Sequence, residues 1–397
     1  MARRLALAVI LPKGSDEYPE RFGGGYVRFS LIVGHLSRRV NIIKLEYSQR
    51  FLQTLSSILA SLKNLGIIRR GSPVAIVSVN PAPPDILTGS LLSRMTGIAH
   101  VVFVNSVPLY GYAGYGLISH KKSSLPHIWS FIRASRRPLF PALVETLIYY
   151  ELFRCLRRAV CIPLTPDIAE SLDRMGYTLV SRTLGIGCLR AQLPASGKKL
   201  DAVYIASPLH PDKGLYDVLE IWEAVVKEIP SMRLLIAGKE APFFDMGMLK
   251  ENVRCRGLEG NVIVFSRKYG VPKRYILKLL SRAKLLLYPT LKDQTPLIIS
   301  EALSCGTPVV TYDLPGIRYA YGDCPAVIRV KPGNKQLAAK EILNLLSNPI
   351  RFEKLRITAL AWCRNNSWKK VAAETLKAYL YAALTDYRTR IKRNAGI

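Results

Sequence analysis

Short apolar runs alternate with stretches of helical periodicity along most of the chain. Leu5–Leu11 predicts a buried first strand, and Gly23–Arg28 opens an apolar-periodic helix reaching about Arg39. Asn41–Leu45 predicts a second strand, Phe51–Leu65 a helix, Pro73–Val79 a third strand, Pro84–Met95 a helix and His100–Val104 a fourth strand. The pattern loosens from Gly111, then resumes with strand Ala159–Leu164 and helix Pro166–Met175. After Gln192–Leu200 (QLPASGKKL), which has linker composition, it restarts. Strand Asp201–Ala206, helix Leu215–Glu228, strands Arg233–Ala237 and Val262–Phe265, helix Pro272–Ala283 and strand Lys284–Pro289 follow. Helices are expected at Gln336–Leu346 and Arg351–Ala359, and Ser367 is placed to cap a last long helix running towards Arg388. Such alternation predicts parallel, doubly wound α/β sheets, whose ligands bind beyond the carboxyl ends of the strands. The expected division is a first domain over 1–191, a linker at 192–200, a second domain over 201–375, and a terminal helix with a basic tail over 376–397.

Composition narrows the partners. At 397 residues and 49% apolar, the chain can build two sizeable cores. The balance of 57 Lys+Arg against 28 Asp+Glu leaves +29, which calls for an anionic partner: nucleic acid, an anionic membrane face or a phosphorylated substrate. No helix-turn-helix, zinc-finger or RNP signature supports nucleic acid. The seven cysteines contain no CxxC pair and the histidines no ligand spacing, so no metal site is expected. Arg3-Arg4 precede an apolar run, but Pro12-Lys13 stop it and no small-residue cleavage site follows, so a cytoplasmic protein is expected. The uncharged span Met95–His120 is broken by Asn105, Pro108 and four glycines, which argues against a membrane helix. Lys121–Arg158 sets eight Lys/Arg beside Trp129, Phe131, Phe140, Tyr149, Tyr150 and Phe153. That mixture suits either an anionic membrane surface or a domain core with solvated charges.

The stretch Tyr288–Thr311, YPTLKDQTPLIISEALSCGTPVVT, is the most informative. A short strand leads to Thr295 as an expected N-cap and Pro296 at the first helical position, and Gly306 ends the helix. A strand, a tight loop and a helix N-terminus together favour anions. Asp293 and Glu301 flank the helix start, with seven residues between them.

This arrangement resembles the E-x7-E region of retaining glycosyltransferases of the GT-B fold, family 4 type, and EALSCGTPVV is close to that family's EAMACGTPVV. The resemblance covers nearly the whole chain. It implies two Rossmann-like domains facing a cleft, with a terminal helix crossing back to the first. It implies that Glu301 binds the ribose of a nucleotide-sugar donor and that Asp293, one methylene shorter than the usual Glu, sits at the donor sugar. The junction IASPLHPDKGLYDVLEIW resembles the family's GRLxxxKG segment, so Lys213 would hold the donor diphosphate together with Thr295, Pro296 and Leu297. Pro208 stands where the second cation, an Arg, is expected. The Gly23–Arg28 run resembles the family's GG-x-x-R loop, placing Gly24, Gly25 and Arg28 near the diphosphate, although a plain flexible turn fits that run equally well. Arg28 or Arg267 could compensate for Pro208. Asn80 and Asn105 occupy strand ends where the family often has His, on the acceptor side.

The resemblance implies a retaining, metal-independent glycosyltransferase without a cofactor, whose donor is itself a substrate. Its acceptor would be a lipid-linked or other glycan, and its place the cytoplasmic face of an anionic membrane. A non-catalytic GT-B-like binder of nucleotide sugars or glycans is the rival, favoured by Pro208, Asn80 and Asn105.

Overall fold

Twelve strands form two sheets in the computed structural model, which describes residues 4–15, 24–47, 63–81, 83–105, 155, 157–180, 185–189, 200–240, 246–268 and 270–394. The first sheet contains β1 (Ala6–Pro12), β2 (Asn41–Tyr47), β3 (Ala75–Ser78), β4 (Ala99–Val104), β5 (Val160–Pro163) and β6 (Thr178–Leu179), ordered β2-β1-β3-β4-β5-β6. The second contains β7 (Leu200–Leu209), β8 (Leu234–Glu240), β9 (Val262–Arg267), β10 (Ala283–Tyr288), β11 (Val309–Tyr312) and β12 (Val327–Val330), ordered β12-β11-β10-β7-β8-β9. The strand pairings are parallel throughout.

Parallel sheets with helices on both faces demand strands that are apolar on both sides, which is why these runs read as continuous rather than alternating. Every residue of β1, β3, β4 and β5 is buried. Ala8 and Ile10 of β1 pack with Leu45, Ile68, Ile76 and Leu92 in one core of the first sheet. In each sheet the order reverses once, between β1 and β3 and between β7 and β10. At such a reversal successive connections leave in opposite directions, opening a crevice beyond the carboxyl ends.

The chain divides into two compact units, Met1–Gly185 with Lys369–Ile397, and Ile186–Trp368. The terminal helix, Trp368–Asn394, thus joins the first unit from Lys369, earlier than the expected 376. Arg390 fastens it there, donating from Nη1 to Gly97 O at 2.9 Å and from Nη2 to Ser93 Oγ at 3.0 Å. The expected linker lies outside the described residues except for Leu200, which opens β7. The expected helix Phe51–Leu65 also lies largely outside them, although 63–71 is helical. Of the basic and aromatic span, only Cys155, Arg157 and Arg158 are described.

Several ends differ from expectation. The helix opened by Gly24 stops at Leu36, and a turn in which Arg39 N and Val40 N both reach Leu36 O leads into β2. Strand β6 and helices Met246–Cys255 and Pro315–Tyr321 have no clear periodic signal: β6 has two residues, and Met246–Cys255 buries only Leu249 and Val253. Among the described residues no helix is long and apolar enough to cross a membrane.

Candidate functional site

Two loops of the second unit meet at its sheet reversal. After β7, His210 Nδ1 accepts from Asp212 N at 3.2 Å and caps the one-turn helix Pro211–Lys213. Gly214 follows with φ +75°, and a Cβ there would lie 1.9 Å from Pro289 O, so only glycine lets this turn rest on the loop after β10. That loop answers with two backbone bonds, Leu291 N and Lys292 N to Asp212 O at 3.0 and 3.1 Å.

This contact brings Lys213 to Asp293, with Nζ 2.7 Å from Oδ2 and 3.2 Å from Lys292 O. Tyr288, the last residue of β10, donates its hydroxyl to the same Oδ2 at 2.8 Å, and Gln294 N donates to Oδ1 at 3.1 Å. Tyr204 of β7 stacks on Tyr288 with ring centroids 6.1 Å apart and donates to Lys213 O at 3.0 Å. Burial, with the charge of Asp293 added, pushes both phenols well above the usual tyrosine value. They therefore stay protonated and act as donors. The side chains of Lys213 and Asp293 keep about a fifth of their surface exposed, 22% and 19%, so the pair is reachable from solvent.

The helix after this loop runs over Leu297–Ser304, and Gly306 follows its C-cap with φ +60°. Thr295 is not its N-cap, as the sequence led one to expect. Pro296 is the cap residue, with ψ 119°, and no side chain caps the helix start. A proline holds the residue before it in extended backbone, and here the proline is extended as well, so the helix begins one residue later. The Pro296 carbonyl accepts from Tyr321 OH at 2.7 Å, which anchors the cap position. Glu301 sits inside this helix, 5% exposed, and Lys273 Nζ bonds its Oε1.

The remaining expected residues are placed as follows. Pro208 lies in β7, where the register with β8 shifts between Ala206 and Leu209. Arg267 ends the edge strand β9, its guanidinium 6.0 Å from the Phe265 ring, and no described bond joins it to the Lys213–Asp293 cluster. In the first unit, Gly24 and Gly25 belong to the first helical turn rather than to a loop. A Cβ on Gly25 would lie 2.5 Å from Val79 O and 2.9 Å from Asn105 Nδ2, so its close approach is to the ends of β3 and β4. Asn105 Nδ2 donates to Asn80 Oδ1 at 2.8 Å, so the two asparagines do meet. Arg28 is buried within its own unit: it bonds Gly185 O and lies 5.4 Å over the Phe103 ring. The sequence had aimed it at a diphosphate.

Two residues of the second site went unnoticed in the sequence. Tyr288 reads only as the end of an apolar strand. Lys273 did leave a signal: helix Lys273–Arg282 has Lys-Arg at its start and no acid in its first turn, against the helix dipole. Pairing with the buried Glu301 is the local reason.

Comparison with known proteins fits this geometry. Residues 200–348 match the family model of Glycosyl transferases group 1. Trehalose synthase of Pyrococcus horikoshii is 28% identical over 162 residues, 40% of this chain and 39% of that protein. D-inositol 3-phosphate glycosyltransferase of Segniliparus rotundus is 26% identical over 175 residues, 43% of this chain and 38% of that one. The matches thus span about two-fifths of each of these relatives. Among solved structures, sucrose-phosphate synthase of Thermosynechococcus elongatus aligns with TM-score 0.68 at 16% identity, covering 96% of this chain and all (100%) of that one. The Anabaena protein HepE, in complex with UDP and glucose, aligns with TM-score 0.64 at 13% identity, covering 94% of this chain and 100% of that one. Residues 200–348 thus resemble the glycosyl transferases group 1 family, in a chain whose fold is that of the GT-B glycosyltransferases.

Proposed function

We propose that this chain is a retaining glycosyltransferase that moves a sugar from a nucleotide-sugar donor to a lipid-linked or other glycan acceptor. The observation that carries the proposal is the meeting of Lys213 and Asp293, from the loops after β7 and β10, at the sheet reversal and just before an uncapped helix start. Negative charge grows on a diphosphate leaving group as the glycosidic bond breaks, and a cation beside uncapped helical N–H groups stabilises that charge. Lys213 and the helix start at Leu297 take this role in place of a metal. Glu301, oriented by Lys273, binds the ribose hydroxyls. Asp293 holds Lys213 in place and orients the donor sugar. HepE has been solved with UDP and with UDP-glucose, which supports testing a uridine donor first.

A membrane-facing acceptor is supported by the net charge of +29 and by the terminal helix. Tyr381, Leu384, Tyr387 and Ile391, spaced along one side of that helix, are 56%, 57%, 64% and 49% exposed. We therefore place the protein peripherally on an anionic cytoplasmic membrane face.

A second reading, a nucleotide-sugar binder without catalysis, draws on Pro208 in place of a cation and on Asn80 and Asn105 bonded to each other. Thermal shifts with UDP- and GDP-sugars, followed by assays of sugar release and transfer, test both. Stabilisation with turnover supports the enzyme, and stabilisation without turnover supports the binder. No shift with any nucleotide sugar overturns both.

A further inference from the structure

The first unit contains a cavity of about 490 Å³ at the amino ends of its strands, lined by His100 of β4, Val160 of β5 and Thr178 of β6. This is the opposite edge of the sheet from Gly25, Asn80 and Asn105. Four arginines line the cavity: Arg94 at the end of helix Pro83–Thr96, Arg157 and Arg158 before β5, and Arg390 of the terminal helix. Asp386 is the one carboxylate among the described lining residues, and it is already engaged by Arg390 at 2.6 Å. Arg390 is further pinned by Ser93 Oγ and Gly97 O, so its fork is fixed in direction. Arg94, Arg157 and Arg158 make no ion pair with any described carboxylate.

Four Arg less one Asp leaves +3 among the described residues around this concavity. A recess with low-dielectric walls concentrates that field more than the same charges on a convex surface would. Guanidinium forks match the oxygens of phosphate in paired hydrogen bonds, whereas the lining hydroxyls of Ser93 and Thr389 already donate to Ile98 O and Thr385 O. A phosphate group carries roughly −1.5 to −2 at neutral pH and meets this charge better than a single carboxylate does. The volume suits a small ligand or a headgroup. Among the described lining residues none is Phe, Tyr or Trp, and the arginines dominate its chemistry. His100 does not add a fifth cation, because its ring is buried and its Nε2 is 2.9 Å from Ser78 Oγ.

We propose that this cavity binds a phosphomonoester or diphosphate group, held by Arg94, Arg157, Arg158 and Arg390. The site shares no residue with the donor site of the second unit. The group could belong to a soluble phosphorylated compound or to a lipid headgroup.

Isothermal titration of the full chain with inorganic pyrophosphate, with and without UDP, tests the soluble source. The expected result is saturable binding that persists with UDP present. The variant Arg94→Gln/Arg157→Gln/Arg158→Gln should lose at least tenfold in affinity while keeping its melting temperature and any UDP binding. Should that variant fail to fold, Arg94→Gln alone, an exposed change at a helix end, should weaken binding several-fold. Sedimentation with vesicles of phosphatidic acid in phosphatidylcholine, against phosphatidylcholine alone, tests the lipid source. Arginine-dependent binding to the phosphatidic acid vesicles without pyrophosphate binding would assign a headgroup. Pyrophosphate binding that UDP abolishes, or that the arginine variants leave unchanged, with no arginine-dependent vesicle binding, overturns the proposal. So does the absence of binding to either probe.

Discussion

Asp293 accepts bonds from a lysine, a tyrosine and a backbone N–H, and Glu301 is buried against a single lysine. The two carboxylates are therefore set up for different work. Changing Glu301 to Gln keeps its volume but would turn the proposed charge-assisted bonds to ribose hydroxyls into neutral ones, at a cost of about 1–3 kcal/mol. Calorimetry should show nucleotide affinity falling accordingly in a folded protein, and unchanged affinity would remove Glu301 from the site. For Lys213→Ala the loss should fall on kcat more than on donor binding, because the charge it meets grows only towards the transition state. Normal turnover of that variant on a verified donor would contradict its role. A third pair of residues governs pH dependence in the first unit. Burial pushes the Asp85 carboxyl up to about 7, although Tyr26 donates to it at 2.7 Å, and burial pushes His100 down to about 3. The folded state holds the Asp85 proton more tightly than the unfolded chain, so that contribution is full below about pH 4 and lost as pH rises through 7. His100 acts oppositely: its contribution is present above about pH 6.5 and lost as pH falls towards 3. Asp85→Asn removes only the first, so its Tm should rise relative to the parent between pH 4.5 and 7.5. Parallel Tm curves would show that Asp85 does not titrate in this range.

At the scale of elements, the site depends on two connections touching. The turn Pro211–Lys213 and the loop after β10 meet through the close approach of Gly214 to Pro289 O and two backbone bonds to Asp212 O, to which the Lys213–Asp293 pair is added. Gly214→Ala would put a methyl group into Pro289 O and force a non-glycine residue to hold φ +75°. A strained αL residue alone costs of order 1–3 kcal/mol, and the clash adds to it. The expected outcome is a lower Tm of the second unit together with weaker nucleotide binding, since Lys213 and Asp293 are displaced together. A variant with native melting and native binding would mean that the loops do not need this contact. The start of helix Leu297–Ser304 is anchored from a distance, because Tyr321 from the next helix donates to the Pro296 carbonyl while no side chain caps the first-turn N–H groups.

At the scale of the whole molecule, the excess of +29 and the exposed apolar stripe of the terminal helix bear on association with surfaces. Sedimentation with anionic liposomes should show binding at low salt that weakens at high salt, because exposed charges are screened over about 10 Å at 0.1 M. Changing Arg133, Arg136 and Arg137 to Glu should reduce it. Indifference of the protein to anionic liposomes at low salt would remove the membrane from the proposed function.

The sequence by itself determined what depends on short windows. Alternating apolar runs and helical periods announced parallel α/β sheets, and Gly214 and Gly306 marked turns through their position beside periodic segments. The stretch from Tyr288 to Thr311 carried its strand, loop and helix, with Asp293 and Glu301, in order. Only the tertiary structure decided which windows meet. The order β12-β11-β10-β7-β8-β9 makes β7 and β10 neighbours, although more than seventy residues separate their ends, and that pairing brings Lys213 to Asp293. The same dependence on distant partners explains why Tyr288 and Lys273 looked ordinary and why Arg28 turned inward onto Phe103 and Gly185. It also explains the cavity of four arginines, which come from three separate stretches of chain. Local steric and hydrophobic preferences write elements into sequence, whereas strand order and burial arise from contacts between residues far apart, whose pairing no single window records.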